Sequence, residues 1–281
     1  MDIQSALKKG KSILLDNNII SAKLDSEILM SQAIRKNKEF IILNLNKKIK
    51  KRDLDYFDNL IQERAKSKPI AQIIKKKDFW KYEFIVNNNV LIPRPDTEIL
   101  IEQTLKLVKN KNRLQILDIG IGSGCILISI LKELKKSKGI GIDISKNAIK
   151  IALKNSKRFG LTKRLKFSHR SIDKLWSYKF DLIVSNPPYI CKHEIKNLSE
   201  DIKKYEPRIA LDGGKDGLDV IKKVIYKSST ILKINGMLAL EIGSGQYKKV
   251  SQILKLKGFR EKFLVNDYQN NIRCIISILK H

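Results

Sequence analysis

Four residues, Asn186-Pro187-Pro188-Tyr189, follow the apolar run "FDLIVS". Two adjacent prolines remove two backbone N–H donors and fix two φ angles. The first, standing before the second, is pushed toward an extended conformation. The result is a stiff peptide that offers carbonyls and no amides. Ordinary turns use the same residues, so other parts of the chain must decide between a turn and a site.

A second group is "DIGIGSG", Asp118–Gly124. Glycines let a backbone approach a ligand closely. The dinucleotide fingerprint G-x-G-x-x-G would need glycine at 125, where the chain has Cys125. Asp118 puts a carboxylate just before the loop, which is a poor neighbour for a pyrophosphate but tolerable for a cation. S-adenosylmethionine, with its sulfonium and ammonium groups, is such a ligand. A third group is Asp143, at the end of "KGIGIDI" and 19 residues beyond Gly124. A carboxylate there can accept both hydroxyls of a ribose, or it can cap the helix that "SKNA" begins.

These groups need elements to bring them together, and the chain from Leu114 onward provides an alternation. Apolar runs "LQILDIG", "KGIGIDI", "LKFSHR" and "FDLIVSN" read as strands separated by helical segments such as "CILISILKELKK" and "SKNAIKIALKNSKRFG". The strand "GMLALEIG" and two closing strands, "KFLVN" and "RCIISIL", complete the pattern. Such alternation predicts a Rossmann-like, doubly wound, mostly parallel α/β sheet. In an open parallel sheet the ligand lies beyond the carboxyl ends of the strands. Asp118, Asp143 and Asn186 all end strands, so one edge should collect them.

Residues 1–75 read instead as a small all-helical domain, because Ile3, Leu7, Leu14 and then Leu24, Ile28, Leu29 recur at helical spacing. "FIILNL" within it is ambiguous. Residues 76–91 read as a β-hairpin linker and 92–281 as the α/β domain, with a helix opening near Pro95. The turn Asp212–Gly217 is expected to be mobile.

Composition sets bounds. Lys and Arg number 57 against 29 Asp and Glu, a net charge of +28. That balance suits an anionic partner such as nucleic acid. Lysines occur on every segment, however, alongside many Ile and Asn, which fits a compositional bias better. Cys125, Cys191 and Cys274 are far apart and form no C-x-x-C, and His169, His193 and His281 lack metal spacing, so neither a disulfide framework nor a metal site is expected. The start of the chain has no apolar signal-peptide core. No apolar run approaches the ~18 residues of a membrane span. A cytoplasmic protein with no membrane association is expected.

D-x-G-x-G-x-G, an acid after the second strand and N-P-P-Y after the fourth together resemble the class I S-adenosylmethionine-dependent methyltransferases that methylate planar amide-like nitrogens. Longer stretches narrow the resemblance. "KPIAQIIKKKDFWKYEFIVNNNVLIPRPDTEILIE" (Lys68–Glu102), with its core "LIPRPDTE", is similar to the linker of the peptide chain release factor glutamine methyltransferases, the PrmC/HemK family. "SNPPYI", "YEPRIAL", "GGKDGL", "LALEIGSGQ" and "DYQNNIR" follow in that family's order.

The resemblance implies transfer of a methyl group from S-adenosylmethionine, leaving S-adenosylhomocysteine, to the amide nitrogen of the glutamine in the Gly-Gly-Gln motif of release factors. It implies catalytic roles for Asn186, Pro187 and Tyr189, with Asn186 and Pro187 accepting the two amide N–H bonds and Tyr189 packing on the amide plane. It implies cofactor contacts from Asp118, Gly120, Ile121, Gly122, Ser123, Gly124, Asp143, Ile172 and Asn186. Substrate contacts would come from Pro188, Arg94 and Glu98 beside the catalytic residues, unless Arg94 and Glu98 instead form a structural salt bridge that joins linker to core, and Glu206 and Pro207 would clamp the substrate. Release factors would be the partners of a monomer, with no nucleic acid required.

The chain departs from the family in three places. Gln72 stands where Tyr is usual, Lys75 where Gly is usual, and Ser171-Ile172 where an acid and Trp are usual, with Asp173 able to supply the acid after a one-residue shift. The alternative within the N-P-P-Y group is an N6-adenine or guanine amino methyltransferase acting on DNA or RNA. Against it, the chain has no added target-recognition domain and no basic region rich in aromatics.

Overall fold

The computed structural model describes all residues except 112, 175–178, 268 and 281. Tyr268 of "DYQNNIR" and His281 therefore lie outside the described residues. The chain divides into two compact units, one of residues 1–76 with 199–205 and one of 77–198 with 206–281.

The first unit is helical: α1 (Ile3–Asp16), α2 (Ala22–Ile34), α3 (Lys38–Leu43), α4 (Lys51–Ala65) and α5 (Ile70–Ile74). The ambiguous "FIILNL" is thus mostly the helix α3. The predicted helical spacing has its reason in a shared core: Ile3, Leu14, Leu29, Phe57 and Ile61 bury together. Arg64 and Asp25 pair at 2.7 Å with both side chains nearly buried. Lys75 ends α5 at φ +60°, a left-handed conformation that favours glycine, which accounts for the residue usual there in the family the chain resembles. Gln72 is buried and donates from Nε2 to the Tyr205 carbonyl at 2.7 Å.

The second unit begins with a hairpin, β1 (Lys76–Phe79, its first residue from the other unit) and β2 (Tyr82–Ile85). Next come α6 (Pro95–Val108), β3 (Gln115–Ile119), α7 (Cys125–Glu133), β4 (Lys138–Asp143), α8 (Lys146–Arg158), β5 (Leu165–His169) and β6 (Phe180–Ser185). After the short α9 (Glu200–Tyr205), which clusters with the first unit, follow α10 (Asp219–Ile231), β7 (Leu232–Glu241), α11 (Tyr247–Leu256), β8 (Phe259–Asn266) and β9 (Ile272–Leu279). The sheet has seven strands in the order β5-β4-β3-β6-β7-β9-β8. The first five run parallel, and β9 lies antiparallel to both β7 and β8.

Alternate residues of each strand feed opposite faces. Ile116, Leu182, Val184, Ala239 and Ile276 face a core shared with α6, α7 and α8. Their neighbours Leu117, Ile183, Leu238 and Ile275 face a core shared with α10 and α11. Burial on both faces explains why these strands read as continuous apolar runs rather than alternating ones. Strand order reverses between β3 and β6, so the crevice at their carboxyl ends is the expected ligand position. Among the described residues, no helix is long and apolar enough to cross a membrane.

Candidate active site

A cavity of about 520 Å³ opens at that crevice. Gly120, Ile121, Gly122 and Ser123 form part of its wall, with Asp143 and Ile172 beside them. Arg94, Asn186, Pro187 and Pro188 form another part. The structure thus brings ten of the fourteen expected site residues to one cavity. Asp118, Gly124, Tyr189 and Glu98 are not in its lining, and each has a physical reason for lying elsewhere.

The glycine loop turns on Gly120, Gly122 and Gly124, at φ +78°, +55° and +84°. A side chain at any of them would force strained backbone. Gly124 starts α7, so it shapes the loop from behind. Asn155 of α8, fully buried, supports the loop from beneath. Its Nδ2 donates to the Ser123 carbonyl at 2.8 Å and to the Ile85 carbonyl at 3.0 Å, and its Oδ1 accepts from the Ile85 amide at 2.8 Å.

Asp143 resolves its two readings by serving as a bridge. Oδ2 accepts from the Gly122 amide at 3.0 Å and Oδ1 from the Ser145 amide at 2.8 Å. The helix cap itself is Ser145, whose Oγ accepts from the Ala148 amide. A carboxylate has about four acceptor positions, so Asp143 keeps capacity toward the cavity. Burial pushes its pKa upward, against the amides of Ser145, Gly122 and Ile144.

Asp118 is 1% exposed and lies beneath the loop rather than on the cavity surface. Neither carboxylate oxygen makes a hydrogen bond of full geometry among the described residues, although the Leu127 amide lies close enough to act on it. Burial raises its pKa to about 8, with the Leu127 amide pulling back and the charge of Asp143 adding to the rise. An unpartnered buried carboxylate stabilises a cation placed near it.

These features fit S-adenosylmethionine. The cavity volume lies in the usual range for small-molecule sites, roughly 300–1,000 Å³. Asp143 would hold the ribose hydroxyls, Ile172 would pack on the adenine, and the Asp118 carboxyl under the loop, protonated without ligand below about pH 8, would favour the cationic end by ionising beside it. Ser171, at the position where the family has an acid, instead bonds Asp173 through its Oγ.

The acceptor side is built on Asn186, which directly follows β6. Its Nδ2 donates to the Thr97 hydroxyl at 3.1 Å. Its Oδ1 and the Pro187 carbonyl take no hydrogen bond among the described residues. Both residues line the cavity, so its wall carries two acceptors that take no hydrogen bond among the described residues.

Tyr189 has a different place from the one expected. Its hydroxyl points to Glu241 Oε1 at 3.4 Å, and its ring packs into the core under α10 and α11, with the Arg273 guanidinium 5.9 Å from the ring centre. It is a support for the motif rather than a platform within the cavity. Glu98 follows the structural alternative: its Oε1 accepts from the Trp80 amide at 2.9 Å and so holds the hairpin. Successive residues of a helix point about 100° apart, and the neighbour Thr97 is the one directed at Asn186. Arg94 lines the cavity and pairs with Glu206 at 2.5 Å, while Glu206 also accepts from the Ile92 amide. The Glu206 side chain is 1% exposed, so it serves the ion pair and not an exposed clamp. His193 is exposed, as expected for a loop residue.

The turn Asp212–Gly217 is tied down, contrary to the expectation of mobility. The Gly213 amide donates to the Ile190 carbonyl at 2.9 Å, and the Ile190 amide to the Leu211 carbonyl at 3.1 Å. Gln246 donates from Nε2 to the carbonyls of Tyr189 and Gly217, and accepts at Oε1 from the Gly243 amide. Gly217, at φ +72°, would place a Cβ only 2.4 Å from the Tyr189 carbonyl oxygen. Three separate motifs thus converge on the backbone of Tyr189 and Ile190. Gln246→Ala is expected to lower methyl transfer about tenfold, because misplacement on the scale of 1 Å costs up to roughly 100-fold. Cofactor affinity, measured by calorimetry, should stay within about twofold of wild type, since Gln246 lies outside the cavity lining.

Sequence reading missed Thr97, Asn155, Glu241 and Gln246. Glu241 and Gln246 fall inside the recognised "LALEIGSGQ", but only strand order shows what they touch.

Comparison with known proteins gives a consistent result. The family description "PrmC N-terminal domain" matches residues 5–74 and "Methyltransferase domain" matches residues 109–255. A release factor glutamine methyltransferase of Clostridium acetobutylicum is 38% identical over 99% of this chain and 99% of its own length. One of Fusobacterium nucleatum is 39% identical over 96% of this chain and 77% of its own. A bifunctional methyltransferase of Rickettsia prowazekii is 38% identical over 90% of this chain, which spans 52% of that protein. The crystal structure of a ribosomal protein L11 methylase from Lactobacillus delbrueckii subsp. bulgaricus shares the fold, with TM-score 0.52 and 19% identity over 70% of this chain and 84% of its own.

Proposed function

The chain belongs to the release factor glutamine methyltransferases, and from that premise we propose that it methylates the side-chain amide nitrogen (N5) of the glutamine in the Gly-Gly-Gln motif of peptide chain release factors. The observation that carries this reading is a pair of acceptors on cavity-lining residues, Asn186 Oδ1 and the Pro187 carbonyl, that take no hydrogen bond among the described residues.

A primary amide nitrogen is a poor nucleophile because its lone pair is shared with the carbonyl. It also carries two N–H donors that need acceptors once out of water. Asn186 Oδ1 takes one and the Pro187 carbonyl takes the other. The nitrogen is then held with its face toward the neighbouring glycine-loop side of the cavity. Each such hydrogen bond is worth only about 0.5–1.5 kcal/mol net. Fixed orientation can supply roughly 7–11 kcal/mol, so positioning is the larger effect. S-adenosylmethionine, when bound, supplies an electrophilic methyl group on a positively charged sulfur and departs as S-adenosylhomocysteine. The methylated nitrogen releases one proton readily to water, so no side chain has to act as a base beforehand. That fits a site whose nearest histidine in sequence, His193, is exposed.

Arg94 stands at the cavity wall on the substrate side, held by Glu206. Residues 1–75 serve as the substrate-recognition domain, because a glutamine tip is too small to identify a release factor alone. The hairpin of 76–91 links it to the methyltransferase domain of 92–281. The enzyme works as a monomer in the cytoplasm, without nucleic acid. The adenine or guanine methyltransferase reading is not favoured, since relatives matched over nearly the whole of both chains are named release factor glutamine methyltransferases.

The test is incubation with labelled S-adenosylmethionine and a bacterial release factor, either wild type or with its Gly-Gly-Gln glutamine replaced by alanine. Label on the wild-type factor alone is expected. Label on added RNA or DNA, and none on either factor, would refute the assignment.

A further inference from the structure

Glu241 closes β7 and is 1% exposed. Its Oε2 accepts from the Thr97 hydroxyl at 2.7 Å, and Thr97 Oγ1 accepts from Asn186 Nδ2 at 3.1 Å. A threonine hydroxyl has one hydrogen. An ionised carboxylate can only accept, so that hydrogen is committed to Glu241. Thr97 then has only lone pairs left to offer Asn186. The asparagine must answer with its NH₂ group, which leaves Oδ1 for the cavity.

We propose that Thr97 and Glu241 are positioning residues that fix which end of the Asn186 amide faces the acceptor, and so make the site select a primary carboxamide over the carboxylate of the same shape. The proposal deepens the reading of the function above and rests on it. Its physical basis is that an amide group is nearly symmetrical in outline, so packing alone scarcely distinguishes oxygen from nitrogen. A flipped Asn186 would turn two N–H donors toward a substrate amide that itself presents two N–H donors. The same flipped group would suit a carboxylate, which cannot be methylated on nitrogen. A hydrogen-bond chain anchored on a buried carboxylate removes the ambiguity.

The charged and titratable groups around Glu241 come from several elements. Arg273 and Cys274 lie on β9, Asp96 on α6, Cys125 on α7 and Tyr189 on the loop after β6. Burial pushes Glu241 up to about 7. The Thr97 hydrogen bond, Arg273 and Tyr189 pull it down, and Asp96 opposes them. Below that value a protonated Glu241 can donate to Thr97, and the direction of the chain is lost. Methyl transfer should therefore rise as pH passes upward through about 7.

The experiment compares wild type, Thr97→Val, Thr97→Ser and Glu241→Gln, using a release factor and its Gly-Gly-Glu variant. Single-turnover methylation is measured from pH 6 to 8.5. Binding of both factors is measured with S-adenosylhomocysteine present, so that this readout needs no turnover. Wild type should label the glutamine factor and bind it at least about tenfold tighter than the glutamate form, as sites built to match hydrogen-bond donors do. Thr97→Val should label about 10- to 100-fold more slowly and lose that preference, while Thr97→Ser should keep both. Glu241→Gln should lose the rise near pH 7. A Thr97→Val enzyme that keeps its rate within about twofold and its preference intact overturns this proposal alone. So does a Thr97→Ser enzyme as impaired as Thr97→Val, because then only the methyl packing matters. A wild type that leaves the release factor unlabelled overturns the functional reading as well.

Discussion

Asn186→Ala is expected to slow methyl transfer to a release factor by about 100- to 1,000-fold, the range seen when one preorganised hydrogen-bonding group is removed from a reacting centre. S-adenosylmethionine affinity should fall by less than about tenfold. The argument rests on where the side chain sits. Asn186 adjoins the cavity but spends its NH₂ group on Thr97, and Asp143 and the glycine loop stand ready for the cofactor without it. Alanine removes one of two acceptors for the substrate amide, leaving a desolvated N–H unpaired. It also releases the Thr97 lone pairs that Asn186 had used. The loss should appear in single-turnover rates, and calorimetry should show the cofactor still bound. Equal losses in both measurements would mean that Asn186 mainly holds the cofactor, and the acceptor role would have to be abandoned.

Much of this site could be read before any coordinates. Asp118, Asp143 and Asn186 each end an apolar run, and a parallel sheet puts such ends on one edge. The order β4-β3-β6 does so here. The reading was weaker wherever one residue's direction mattered. Glu98 and Thr97 are adjacent on α6, yet one holds the hairpin and the other reaches Asn186. Nothing in the local pattern separates them, because both are polar residues in the first turn of an amphipathic helix. Tyr189 was misread for a related reason. Its position after two prolines is visible in the sequence, but its direction depends on Glu241 at the end of β7, more than 50 residues on. Asn155 was hidden altogether, since one of two asparagines in a lysine-rich helix looks like a solvated residue until the helix is docked on the sheet.

Asp118→Asn should change stability more than any other single substitution at the site, and in a direction set by pH. The folded protein holds this carboxyl at a pKa of about 8, against 3.8 for the free group. Between those values the folded chain keeps a proton that the unfolded chain gives up. Stability therefore falls as pH rises from about 4 to about 8, and the cost of the buried charge is fully present above that window. Each pKa unit corresponds to about 1.4 kcal/mol, so a cost of several kcal/mol accumulates by pH 8.5. Asparagine resembles the protonated acid and has nothing to ionise. In the protein without cofactor, Asp118→Asn should raise the melting temperature at pH 8.5 by several degrees more than at pH 5, where only about a quarter of the cost has accumulated. Part of the pH slope should survive, because Glu241 is pushed up to about 7 and remains. The stabilisation should come with weaker S-adenosylmethionine binding, because the uncharged amide no longer favours a cation. Thermal unfolding at the two pH values decides the matter. A variant that melts lower than wild type at both would show that the carboxylate is satisfied in the folded state, and that its charge is not held in reserve for the ligand.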